Sequence, residues 1–134
     1  MVLSLPAQVR VFLARGATDM RKAFDGLSAI VRHQFHRDPF TGDVFVFFNG
    51  ERNRVKLLLW DGNGFWLLAK RLERGTFDSW RPPGEAAHVA IERAQLSMLL
   101  EGIDIKKSNY RRHFTRTVRI GGSGERPATG PGEA

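Results

Sequence analysis

Apolar residues along this chain change period several times, and each change marks the limit of an element. Val9, Val11 and Leu13 alternate with Arg10, Phe12 and Ala14, which predicts a strand ending at Gly16. Met20, Phe24, Leu27, Ile30, Val31 and Phe35 then recur at spacings of three and four, the mark of an amphipathic helix with Thr18 or Asp19 as its cap. Gly26 inside this pattern either permits close packing or weakens the helix. Asp38, Pro39, Thr41 and Gly42 form a turn into the aromatic run Val44 to Phe48.

That run, the segment Arg54 to Trp60 and the segment Phe65 to Leu72 are separated by turn clusters at Asn49 to Asn53 and Asp61 to Gly64, the layout of a three-stranded antiparallel meander. A second turn centred on Gly62 and Asn63 sets Trp60 opposite Phe65, Leu58 opposite Leu67, Lys56 opposite Ala69 and Arg54 opposite Arg71. Alternation then gathers Arg54, Lys56 and Arg71 on one face. Val55, Leu57, Leu59, Trp66 and Leu68 fall on the other, which reads as the core face beneath the helix carrying Phe24, Leu27 and Val31. Gly75 ends the meander, and Trp80 to Gly84 reads as an irregular crossing. Ile91, Ala94, Gln95, Met98 and Leu99 describe a second helix from about Glu92 to Glu101, closed by Gly102.

The fold these elements imply is α+β: a small, mainly antiparallel sheet of three or four strands, one face covered by the first helix, the second helix at an edge. With 134 residues, 42% of them hydrophobic, the chain suits one core. Residues 1–105 read as the globular domain, 106–120 as a basic extension and 121–134 as a disordered tail in which seven of fourteen residues are Gly or Pro. That tail is expected to be dispensable for folding.

Charge narrows the partner. Lys and Arg number 21 against 14 Asp and Glu, a net charge of +7, which suits a polyanion but also a ribosomal or membrane surface. Apolar runs such as Val44 to Phe48 fall far short of the roughly 20 residues that span a bilayer, so no membrane role is expected. Cysteine is absent, which removes disulfides, thiolate zinc sites and thiol nucleophiles and fits the cytoplasm.

Catalytic patterns are missing. His33 and His36 lie three apart near Asp38, but a zinc site wants further ligands and His88 and His113 sit in unrelated contexts. Two-metal DNA cleavage needs clustered carboxylates, whereas Asp19 reads as a cap, Asp61 as a turn residue and Asp25 as part of a polar helix face. Asp61-Gly62-Asn63-Gly64 joins two strands rather than leading into a helix, so it is no phosphate loop. No enzyme activity, cofactor or metal is expected. Basic residues interleaved with aromatics remain: Arg54, Lys56, Lys70 and Arg71 near Trp60 and Phe65, where the rings either stack on bases or lie buried. Lys106, Lys107, Arg111 and Arg112 form a second basic stretch, either an arm that orders on DNA or a solvated tail.

Several segments together resemble a known family. They are Thr18 to Lys22, Phe24-Asp25-Gly26-Leu27, Asp38-Pro39-Phe40 with Gly42, Lys56 to Gly62 leading through Gly64 to Lys70-Arg71-Leu72-Glu73-Arg74-Gly75, and Leu99 to Asp104. In this order they are similar to the TnpB accessory proteins encoded by the second open reading frame of insertion-sequence-66 type elements, over roughly residues 5 to 105. The resemblance implies a non-catalytic protein of DNA transposition, acting beside a larger element-encoded transposase and another accessory protein. The RNA-guided nucleases that share the name are much longer and carry cysteine zinc motifs. Two readings of the role stand: a protein that binds DNA, the transposase or both, with the cations above as phosphate contacts, or a pure protein-interaction adaptor of the transposase complex.

Overall fold

The computed structural model describes residue 6, residues 8–77 and residues 82–101. The basic stretch 106–120, the tail 121–134, the proposed cap Gly102, and Trp80 and Arg81 lie outside the described residues. Among the described residues, five strands and two helices follow in the order β1 (Val11–Ala14), α1 (Phe24–His33), β2 (Val44–Phe48), β3 (Arg54–Trp60), β4 (Phe65–Arg71), β5 (His88–Ile91) and α2 (Arg93–Leu100). They build one sheet in the order β4-β3-β2-β1-β5.

The expected meander is present, and its β3–β4 register pairs Trp60 with Phe65, Leu58 with Leu67, Lys56 with Ala69 and Arg54 with Arg71. Asp61 opens the hairpin by accepting Asn63 N–H at 3.3 Å and Gly64 N–H at 3.2 Å, while Gly62 takes the positive φ of 110° that a side chain would resist. The sheet is one strand wider than the pattern alone suggested. β1 runs parallel to β2 with α1 as the crossover, and β5 adds antiparallel to β1. Only four residues long, β5 ends in Ile91, which sequence spacing had assigned to the second helix.

Both faces of the sheet carry a core. On one, Val11, Leu13, Val44, Val46, Phe48, Val55, Leu57, Phe77 and Ile91 pack with Leu96, Leu99 and Leu100 of α2. On the other, Phe12, Phe45, Phe47 and Leu58 pack with Leu27 and Val31 of α1 and with Phe35 just beyond it. This corrects the expected arrangement. Val55 and Leu57 are buried, but under the α2 side rather than beneath α1, and Phe24, Trp66 and Leu68 are 45%, 56% and 36% exposed. Alternation along β3 separates two cores rather than core from solvent, so α1 lies on the face that also holds Lys56.

Lys56 is accommodated there by its reach. Its Nζ donates to Met20 O and to Lys22 O, both at 2.8 Å, binding the turn that precedes α1. The expected cap is also displaced: α1 starts at Phe24 with Ala23 at its N-cap and no side-chain cap bond. Asp19 instead closes the preceding turn, where its Oδ1 accepts Arg21 N–H at 2.9 Å and its carbonyl accepts Lys22 N–H at 3.1 Å. Gly26 is needed where that turn crosses the helix, because a Cβ there would meet Lys22 Cβ and Cγ at 3.1 Å. At the other end His36 adopts a left-handed φ of 57°, and Phe35 turns inward to stack on Phe47. Among the described residues no helix is long and apolar enough to cross a membrane.

β1 and β2 are joined outside the ladder by Asp43, which is buried and accepts from Arg10 N at 3.1 Å, Arg10 Nη2 at 2.8 Å and Thr41 Oγ1 at 2.7 Å. Burial by itself would raise this carboxyl, but the bonds from Arg10 and Thr41 prevail and hold it below its usual range.

Three outcomes follow from this packing. Leu57→Ala and Leu58→Ala, one on each face, should each cost about 2–5 kcal/mol in urea unfolding, whereas a sheet with one wet face would show the loss at only one of them. Lys56→Met should cost about 1.5–3 kcal/mol, since it leaves two turn carbonyls without their charged donor. Asp43→Asn should lower the melting temperature at neutral pH. Because the folded carboxyl lies below its ordinary 3.8, the advantage of Asp43 is full above that value and fades as pH falls through the folded pKa. Melting curves of the two proteins should therefore converge in acid.

Candidate nucleic-acid interface

On the α1 face, Arg54 and Arg71 sit directly opposite one another at the far end of the β3–β4 hairpin, one pair beyond Lys56 and Ala69. An open groove of about 350 Å³ is lined by Met20, Arg54, Val55, Lys56, Ala69, Lys70 and Arg71. Arg54 is placed by the turn before β3, in which Asn49 Oδ1 accepts the backbone N–H of both Asn53 and Arg54 at 3.0 Å. Its guanidinium makes no ion pair or side-chain hydrogen bond among the described residues.

Arg71 does have a carboxylate neighbour, which strand register alone did not reveal. Glu73, two residues on, accepts from Arg71 Nε at 3.2 Å and Nη2 at 3.1 Å, with both side chains mostly exposed. A pair so exposed is weak and leaves the guanidinium available to a competing anion. Lys56 spends two of its three donors on Met20 and Lys22 carbonyls and keeps one for a ligand.

The structure separates Lys70 from this group. It borders the groove, but its ammonium turns to the opposite face and donates to Leu100 O at 2.7 Å, at the C-terminus of α2. A cation there meets the negative end of the helix. Burial against that turn lowers the Lys70 pKa, with Glu101 opposing the shift, although the residue as a whole is exposed. Lys106, Lys107, Arg111 and Arg112 lie outside the described residues.

Two further cations belong beside the groove. The Lys56 bonds draw the turn Asp19 to Lys22 against β3, so Arg21 and Lys22 flank the site, both exposed. Bonds from Arg21 hold the Asp19 carboxyl well below the ordinary carboxylate range and raise the guanidinium in turn. Periodicity assigned these residues to a helix start and so missed them. The signal that could have found them is the Thr18 to Lys22 motif, which carried the family resemblance.

At the opposite end of the same face, Trp60 packs edge-on against Phe40 at 4.9 Å and Phe65 at 5.0 Å. Trp60 and Phe65 are half-buried, and Phe40 presents the exposed ring of the trio. Histidines are placed without metal-site geometry: among the described residues no group of three His, Asp or Glu could hold an ion. His88 instead accepts from Arg37 Nε at 2.9 Å and stacks on Phe35. Burial, followed by the charges of Arg37 and Arg15, lowers its pKa and keeps it neutral.

Comparison with known proteins agrees with the motifs. The family described as IS66 Orf2 like protein matches residues 9–110. The uncharacterized protein y4hO of Sinorhizobium fredii is 44% identical over 96 residues, 72% of this chain and 82% of that protein. A second protein of that organism, the uncharacterized protein y4jC, is 33% identical over 96 residues, 72% of this chain and 80% of its own length. No solved structure matches. Since one continuous match takes in the Asp19 turn, the Lys56 strand, the Asp61 hairpin and both helices, the chain belongs to the IS66 Orf2-like family.

Proposed function

We propose that this chain is a non-catalytic accessory protein of transposition that holds DNA by its phosphates, in the groove between Arg54 and Arg71. The observation that carries this reading is the cross-strand pair of arginines beside Lys56, because like charges directly opposite in a sheet repel unless an anion lies between them. Phosphate oxygens are suited to that position, and contacts of this kind fix a protein on nucleic acid without reading its sequence. Arg21 and Lys22 widen the positive surface, and Lys106, Lys107, Arg111 and Arg112 extend the same role beyond the globular residues. The element-encoded transposase supplies the chemistry and is the expected protein partner, in the cytoplasm.

Arg54→Ala with Arg71→Ala should weaken duplex binding to a similar degree across sequences and lower the salt slope by roughly one unit per lost contact. Stability should hardly change, because both side chains are exposed. This pair is the proper test, whereas a Lys56 variant would also loosen the turn before α1. Unchanged affinity and slope in the folded double variant would move the DNA contact to residues 106–119. A parent protein that captures transposase but shows no salt-sensitive duplex binding would establish the adaptor reading instead.

A further inference from the structure

We propose that the outer edge of β4 is a self-association surface, on which two copies of this chain pair antiparallel about a two-fold axis through Leu68. β4 ends the sheet, and the hydrogen-bond phase shows which groups it leaves open. Asp61 N bonds Gly64 O at 3.0 Å and Leu72 N bonds Asn53 O at 2.8 Å, so the even-numbered residues of β4 exchange bonds with β3. The amides and carbonyls of Phe65, Leu67, Ala69 and Arg71 therefore point outward, and none has a backbone partner among the described residues. A row of this kind is a template for another strand.

The side chains choose the occupant. Lys70 and Arg71 at one end of the strand are like charges that would repel a parallel copy in register. An antiparallel copy centred on Leu68 instead separates the like charges and places Arg71 opposite Phe65 at both ends, a guanidinium against an aromatic ring, while Trp66 lies opposite Lys70, whose ammonium stays on Leu100 O. The outward-bonding pairs are then Leu67 with Ala69 and Phe65 with Arg71. Leu68 with its own equivalent, and Trp66 with Lys70, become the non-hydrogen-bonded pairs, where side chains approach most closely. Trp66 and Leu68 are among the large apolar side chains left uncovered in the described residues: Trp66 is 56% and Leu68 36% exposed. Trp66 is also pinned, its Nε1–H donating to Asp61 Oδ2 at 2.7 Å, so little freedom is lost when it docks.

A two-fold axis perpendicular to the strands keeps equivalent faces on the same side. Both Arg54–Arg71 grooves then lie on one surface of a continuous ten-stranded sheet, with the two Arg71 residues roughly 20 Å apart along the strand direction.

Sedimentation equilibrium of the full chain without DNA tests this independently of the DNA reading. The parent protein should be a dimer in the micromolar range. Ala69→Pro removes an outward amide that β3 does not use, and Leu68→Arg sets two guanidinium groups together at the axis. Each should weaken the dimer by at least about tenfold while keeping the parent circular dichroism spectrum. A monomeric parent throughout that range, or a dimer that persists in the folded Leu68→Arg variant, would overturn the proposal.

Discussion

The burial of β2 on both faces is the constraint on which the rest depends. No residue of Val44–Phe48 reaches solvent, so the strand must be flanked on each edge and covered above and below. β1 and β3 supply the edges, one parallel and one antiparallel. A parallel neighbour requires a crossover, and α1 provides it while covering Phe45 and Phe47. The other face, with Val44, Val46 and Phe48, needs a second cover, and α2 closes it after the chain has passed through β5. Helix placement is thus a consequence of one strand having no polar side.

Cations in this protein divide into those the fold consumes and those it leaves. Lys56 binds the turn ahead of α1, Lys70 the C-terminal carbonyl of α2, and Arg10 the buried carboxylate of Asp43. Each links elements distant in sequence. Arg54 and Arg71 remain at the surface with weak or no internal competition, and it is their shared cross-strand position that makes a groove suited to phosphate. Net charge alone would have counted all five alike. Their partners distinguish them.

The same hairpin serves two surfaces. On the α1 face its far end carries the arginines and its turn end the aromatic trio. On the α2 face Trp66 and Leu68 extend past the reach of α2, beside an edge whose amides are open. At the β4 margin of the sheet, apolar residues, cations and unpaired backbone meet, and both proposed interfaces arise there.

Much of this was written locally. Two-residue alternation and the Asp61 to Gly64 turn determined the hairpin and its register residue by residue, since turn length leaves little choice in the pairing. Helical spacing located Leu27 and Val31 on a buried face and bounded α2 closely. The family was legible because its motifs are short and contiguous. What alternation could not supply was which face of β3 meets which helix, because Val55 lies on the α2 side and Lys56 under the turn that leads into α1, and only long-range packing distinguishes two cores from a core and a surface. Nor could periodicity reveal that the ammonium groups of Lys56 and Lys70 end on backbone carbonyls some thirty positions away in the chain, or that Glu73 reaches Arg71. Spacing records what a residue faces within its own element, and the sites here are set by what other elements bring to it.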